Sequence, residues 1–212
     1  MQSPEAMLLR RLLPEGQGVV TRSEQRLPDG RRAELLLGLE NIHNHLTEGT
    51  ARQQVDAGTG SARVDRVACT ILDSSKGGMK LLCEGGGAGD TSVGDLLAVR
   101  EGNAGAQTLK LAMIRSIQAQ SEGGMEIGVQ VMPGGLGPVF CSSSDGNEQA
   151  IHALFMSANE AEETGATLIA ASGFYEPGRH LLIDVGGKEV SACAGRLVVD
   201  SPVFDRFEFY AE

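Results

Sequence analysis

A polar turn between two apolar runs is the stretch of this chain whose residue types best suit ligand binding. It reads Asp73-Ser74-Ser75-Lys76-Gly77-Gly78 and lies between the mainly apolar residues 67–72 and 79–83. Because short Asp and Ser side chains hydrogen-bond to nearby backbone, the pattern predicts a strand, a tight turn and a second strand. The turn would expose a carboxylate, a hydroxyl and bare backbone, which together can hold a phosphate or the edge of a base. A simple hairpin is the alternative, and the local chemistry alone favours it.

A pair of arginines near the start of the chain is the second candidate. Arg22 and Arg26 are four residues apart in a polar segment, so a turn of the chain would bring them to the same side. A guanidinium is always charged, stacks on aromatic rings and grips phosphate through paired N–H donors. Two such groups could clamp a small nucleotide. Two solvated arginines in a polar loop are the alternative.

Other kinds of chemistry have weaker support. His43 and His45, with Glu48 nearby, form the only metal-like cluster in the sequence. Residues two apart on a helix point in different directions, whereas metal pairs on helices lie three or four apart, so we expect no metal site. Ser142 to Asp145 is explained by surface turn chemistry. No pattern brings together a nucleophile, a general base and an oxyanion hole, so we expect no catalytic residues and no enzyme.

Short strands separated by turns must position these candidates. Residues 1–16 predict an amphipathic helix with four leucines on one side, and Gly38 to Leu46 predict a short helix with Leu39, Ile42 and Leu46 facing inward. The remaining apolar runs predict strands at 31–37, 67–72, 79–83, 93–100, 109–119, 125–132, 166–170, 180–184, 188–193, 196–199 and 205–210.

The predicted strands favour a mainly β fold. Strands before residue 133 suggest a small antiparallel barrel, and Leu111, Met113 and Ile117 are expected to face its interior. Residues 133–147, rich in Gly, Pro and Ser, predict a boundary, and 148–163 combine an apolar patch with a Glu-rich, helix-like end. The strands that follow could form a second small barrel or complete the first.

Composition limits the function classes. The 212 residues include 29 Gly and no Trp, which is typical of β-rich domains with many turns and modest cores. A net charge of −10 disfavours a nucleic acid or an anionic membrane as main partner. No stretch is long and apolar enough to insert into a membrane, and the four widely spaced Cys suit a reducing compartment. We therefore expect a cytoplasmic protein.

Residues 22 to about 132 resemble a PilZ domain, a small β-barrel module whose members commonly bind cyclic di-GMP. That family carries R-x-x-x-R in an N-terminal loop, matched by Arg22 and Arg26. It also carries [D/N]-x-S-x-x-G in a turn between two strands, matched by Asp73, Ser75 and Gly78. The interval between the motifs is longer than is usual in the family, because a helix and loop around 38–62 look inserted.

The resemblance implies a fold and a domain layout. The fold would be a PilZ-like antiparallel barrel with short flanking helices and a second β-rich module. The N-terminal helix would occupy 1–16, the barrel 17–140 and the C-terminal module 148–212.

The resemblance also implies a function. The five matched residues would form the ligand-binding set, with the arginines on the guanine faces and phosphates and Asp73 on a guanine edge. The protein would be a receptor that needs no cofactor and passes cyclic di-GMP binding to a protein effector. Self-association through the leucine-rich N-terminal helix is a further expectation. The alternatives are a PilZ-like adaptor that does not bind nucleotide and a barrel-fold enzyme.

Overall fold

A computed structural model describes most of the chain from Leu27 onward. The described residues are 27–51, 66–84, 88–102, 108–121, 123–144, 149–159 and 163–212, without the side chains of 49–51. The predicted helix at 1–16 and both arginines of the R-x-x-x-R motif lie outside this part of the chain.

Thirteen strands and one helix occur in the described residues. The helix, α1, spans Leu39–Ala51. The strands are β1 (Leu27–Pro28), β2 (Arg32–Leu37), β3 (Val67–Ser74), β4 (Gly78–Cys83), β5 (Leu96–Glu101), β6 (Thr108–Ala119), β7 (Met125–Met132), β8 (Leu136–Ser143), β9 (Ile151–Met156), β10 (Thr167–Ala171), β11 (His180–Asp184), β12 (Glu189–Asp200) and β13 (Phe204–Ala211).

The first six long strands form a closed antiparallel barrel. Its strand order is β3-β2-β5-β6-β7-β4, and β4 pairs with β3 to close it, while the short β1 adds to the far end of β3. The interior is filled by buried aliphatic side chains that include Leu35, Ile71, Leu81 and Ile127. Closure leaves no long unpaired strand edge, and the predicted small barrel is confirmed.

The last six strands form a second closed antiparallel barrel in the order β10-β13-β12-β11-β8-β9. Val139, Leu168, Leu181 and Phe207 are among the side chains that fill it. These strands therefore build a barrel of their own and do not complete the first one. The mainly β fold with a second β-rich module is confirmed.

Most of the stretch 133–147, which was predicted as a boundary, belongs to the second barrel, because β8 lies inside it. Composition misled the prediction, since Gly and Pro usually interrupt strands. Pro138 is tolerated because β8 pairs only with β9 at that point and with β11 from Phe140 onward. The apolar residues that precede the predicted helix-like end of 148–163 form a strand, β9.

Two other predictions need correction. The strand pair predicted at 188–193 and 196–199 is one strand, β12, which passes Gly195 through a register shift. In β6, Ala112 and Ile114 face the barrel interior, whereas Leu111 and Met113 pack on the outside against other elements. Both faces of this half of β6 are buried, so simple alternation could not distinguish them.

The two barrels and α1 meet in one apolar cluster, called here the seam core. Its buried members come from α1, the first barrel and the second barrel: Leu36, Ile42, Leu96, Ala98, Leu111, Met113, Met132, Leu154, Met156, Ile169 and Phe204. Ile42 is fully buried and Leu39 and Leu46 pack beside it, as predicted for this helix.

The segment that carries α1 is an excursion between two paired strands. It leaves β2 and returns to β3, and these strands pair directly with Leu35 opposite Val67. The buried His43 of α1 places its Nε2 3.1 Å from the carbonyl oxygen of Val139, and its ring stacks on His152 with centroids 4.4 Å apart. The inserted segment thus leaves the pairing of β2 with β3 intact, and its helix α1 contacts the second barrel.

The described residues contain no group of three or more His, Cys, Asp or Glu that could hold a metal ion. Cys69, Cys83 and Cys141 are buried and all four cysteines are free. In the same part of the chain, no helix has the length and apolar character required to cross a membrane.

Candidate functional site

The predicted strand–turn–strand at Asp73–Gly78 is present as the β3–β4 hairpin. The backbone N–H of Ser75 donates to the carbonyl of Gly78 at 2.8 Å, and the Ser75 hydroxyl donates to the same oxygen at 3.3 Å. These bonds fix the turn while leaving Lys76 and Gly77 exposed. Ser75 and Gly78 therefore lie together, at the end of the hairpin that also carries Asp73.

A β-bulge determines which way Asp73 faces. Ile71 lies opposite Leu81, but Asp73 lies opposite Lys80, so one extra residue is accommodated in β3 between them. Directly opposed residues of an antiparallel pair share a face, and successive residues alternate. Ile71 and Leu81 point into the barrel, so Asp73 and Lys80 share its outer face. Without the bulge the carboxylate would be directed into an apolar interior.

The short strand β1 brings another part of the chain beside this carboxylate. Leu27 pairs with Ser74 and Pro28 with Asp73, and the N–H of Asp29 donates to the carbonyl of Leu72 at 3.0 Å. In sequence, Leu27 directly follows Arg26. The R-x-x-x-R motif therefore runs straight into a strand that is paired with the Asp73 motif.

An ion-pair network holds β1 in this position, and sequence reasoning missed it. Arg31 donates from Nε and NH2 to the carboxylate of Asp29 and from NH1 to Glu101 at 2.9 Å. The carboxylate of Asp29 also accepts from the hydroxyl of Ser74 at 3.3 Å. Lys110 places its ammonium 2.7 Å from the other oxygen of Glu101. These contacts connect the residues that follow β1, and the last residue of β3, to β5 and β6.

The same contacts control the charge of Asp29. Its side-chain hydrogen bonds to Arg31 hold the pKa of Asp29 well below its usual range, and backbone N–H groups of Arg31 and Gly30 add to this. The hydrogen bonds to Asp29 raise the pKa of Arg31 in turn. The run Asp29-Gly30-Arg31 carries a usable signal for a local turn, but not for the contact with Glu101, which lies 70 residues away.

Arg66, the arginine just before β3, lies too far from Asp73 to share a site with it. Arg66 precedes β3 and its guanidinium lies 3.8 Å from Glu34. Arg66 lies seven positions before Asp73 along extended backbone, which is about 23 Å at the usual rise per residue. Arg66 therefore belongs to the opposite end of the first barrel.

Comparison with known families bears on the second barrel. Residues 141–211 match the family model of the FimW C-terminal beta-barrel domain. The match covers about a third of the chain and includes most of the second barrel, from within β8 to the end of β13. It agrees with the closed barrel found there. No curated protein matches the chain.

Proposed function

We propose that this protein is a receptor for cyclic di-GMP, with its ligand site at the β1–β3–β4 end of the first barrel. The single observation that carries the proposal is the pairing of β1 with β3, in which Pro28 lies opposite Asp73. The R-x-x-x-R motif ends at Arg26, directly before β1, and 46 residues, 27 to 72, lie between it and Asp73. The pairing of β1 with β3 supports a joint site for the two motifs. The resemblance to the PilZ family is the reason to interpret this pairing as part of a ligand site.

Chain geometry supports a joint site for the two motifs. Consecutive Cα atoms are 3.8 Å apart, so Arg26 is joined directly to a residue that is paired with the hairpin. The ion pairs of Asp29 and Arg31 anchor this junction. In the proposed site, the side chain of Arg26 would bind a phosphate held near the turn.

Each residue of the site would contact a different part of the ligand. Arg22 and Arg26 would bind the two phosphates and stack on the guanine faces, as planar guanidinium groups do. Asp73, on the outer face of the barrel, would accept hydrogen bonds from the N–H groups of a guanine edge. Ser75 and the backbone at Gly78 would complete the pocket.

Binding would be passed on through the segment before Leu27. A ligand that engages both motifs would fix this segment against the first barrel and so alter the surface offered to a protein effector. The protein would act by changing a contact and would catalyse no reaction.

Calorimetric titration of the full chain with cyclic di-GMP tests the proposal. We expect binding by the wild-type protein, and a loss of at least a hundredfold in affinity for Arg22→Ala/Arg26→Ala, because each charged hydrogen bond contributes about 1.5–3 kcal/mol. Asp73→Ala should lose at least tenfold. Arg196→Gln removes a comparable charge from the second barrel and should bind normally.

Two results would point elsewhere. Absence of binding at high micromolar ligand would reject the receptor and favour the adaptor that does not bind nucleotide. Undiminished affinity in the double arginine variant would show that any nucleotide binds at another place.

A further inference from the structure

We propose that the mouth of the second barrel is a separate binding site for a small oxyanion, a phosphate or carboxylate group, held by Arg179. A cavity of about 280 Å³ opens there between the end of β8 and the loop before β11. Its walls are Ser143, Ser144, the segment Glu176–Gly178, Arg179 and His180. This site does not depend on the nucleotide site of the first barrel.

Arg179 is already arranged to bind an anion. Its guanidinium carbon lies 5.2 Å from the centre of the Phe174 ring, so the planar group rests on an aromatic surface. Its side chain is only 18% exposed. A guanidinium that is held in this way loses little conformational freedom on binding, and its charge is less screened than that of a solvated arginine.

In the ion pair between Arg179 and Glu176, the arginine is the more buried of the two residues. Arg179 NH2 lies 3.2 Å from a carboxylate oxygen of Glu176, whose side chain is 68% exposed. At Arg196 the arrangement is reversed, since the arginine is 62% exposed and the carboxylate of Glu208 only 12%. A solvated carboxylate gains little from its ion pair, so Glu176 can give way to an incoming anion at small cost.

The surrounding backbone is well ordered by hydrogen bonds. The N–H of Gly178 donates to Ala194 at 3.0 Å, and the N–H of Ala194 donates to the carbonyl of Arg179 at 2.8 Å. Gly178 has a φ of +75°, a conformation that glycine adopts without strain. The loop therefore holds Arg179 at a fixed place in the mouth.

The other polar groups of the cavity suit an oxyanion. Hydroxyl groups of Ser143 and Ser144 can donate to oxygens that the guanidinium does not reach.

Burial raises the pKa of the Cys141 thiol to about 12, and the positive charge of Arg179 opposes that rise, so the guanidinium influences the barrel interior. His180 places Nδ1 2.9 Å from Glu212, and among the described residues both Glu176 and Glu212 are acidic groups beside the site.

Nuclear magnetic resonance titration of the ¹⁵N-labelled full chain with phosphate, and separately with acetate, at constant ionic strength tests the site. We expect saturable shifts of the Arg179 Nε–H and of the backbone amides of Gly178 and His180. Arg179→Gln should raise the dissociation constant at least tenfold, which is about 1.4 kcal/mol. Arg196→Gln is the matched control and should leave it unchanged. The tighter of the two probes identifies which oxyanion chemistry the site prefers.

A second variant keeps the test valid if Arg179→Gln disturbs folding. Ser144 is exposed, so Ser144→Ala should fold normally and raise the dissociation constant about threefold by removing a neutral donor. The proposal is overturned if neither probe gives saturable shifts at tens of millimolar. It is also overturned if the shifts persist in both variants, or if they are as large at Arg196 as at Arg179.

Discussion

Truncation of Ile42 in α1 should destabilise the second barrel, although α1 is inserted between strands of the first. Ile42 is fully buried in the seam core, together with Leu154 and Phe204 of the second barrel. Ile42→Ala removes three buried carbons at about 0.8 kcal/mol each, or about 2.4 kcal/mol, and the cavity left behind brings the expected cost to about 3–4 kcal/mol.

Tyrosine fluorescence during urea unfolding can measure this effect selectively. The chain has no tryptophan, and its two tyrosines report the second barrel, because Tyr210 lies in β13 and Tyr175 packs against the core of that barrel. With a denaturant slope of about 2–3 kcal/mol per molar urea, Ile42→Ala should lower the tyrosine midpoint by about 1–2 M. Far-ultraviolet circular dichroism, which reports both barrels, should show a fall of similar size.

Ile42→Val is the matched control, because it removes one carbon and should cost only about 0.5–1.5 kcal/mol. The role assigned to the seam core is refuted if Ile42→Ala leaves the tyrosine midpoint where it is in the wild-type protein while lowering the dichroism midpoint. Such a result would mean that the second barrel gains no stability from α1.

Two further predictions concern pH. Because Arg31 depresses the pKa of Asp29 in the folded state, this carboxylate stabilises the protein above the ordinary aspartate pKa of about 4, and the contribution is lost as pH falls below it. Asp29→Asn should therefore melt at a lower temperature than wild type near pH 7, and the gap should shrink near pH 3; a constant gap would contradict this. Burial and the nearby His152 lower the pKa of His43, so the unfolded chain binds more protons and stability should fall between about pH 7 and pH 5. His43→Gln should reduce that pH dependence in thermal melts, whereas an unchanged slope would assign it to other groups.

Local sequence patterns predicted the hairpin and α1 well. Asp73 to Gly78 interrupts two apolar runs with residues that favour turns, and the structure has a hairpin there. Leu39, Ile42 and Leu46 follow helical spacing, and all three pack into the seam core. In both cases one short window holds the whole signal.

Features set by distant contacts were not predictable from such windows. The strand β8 was missed because its neighbours β9 and β11 stabilise a segment whose own composition is typical of a loop. The burial of Leu111 and Met113 on the outer face of β6 depends on the second barrel. A pattern of alternation cannot reveal a partner that lies elsewhere in the chain.

In the candidate site, too, features with a local sequence signal were predictable and features set by distant contacts were not. Asp73, Ser75 and Gly78 were predicted as site residues from their motif, but the bulge that turns Asp73 outward leaves no mark in composition. The anchoring of β1 depends on Glu101, which is distant in sequence from Arg31. Tertiary pairing therefore supplies what the motifs lack, namely the proximity of β1 to Asp73.

The structure of the full chain bound to cyclic di-GMP tests the central claim most directly. We predict that the guanidinium groups of Arg22 and Arg26 contact the phosphates of a nucleotide whose guanine edge donates hydrogen bonds to the carboxylate of Asp73, at donor–acceptor distances of about 2.7–3.2 Å. A nucleotide bound away from the β1–β3–β4 end of the first barrel, or one held there without either arginine, would contradict the account.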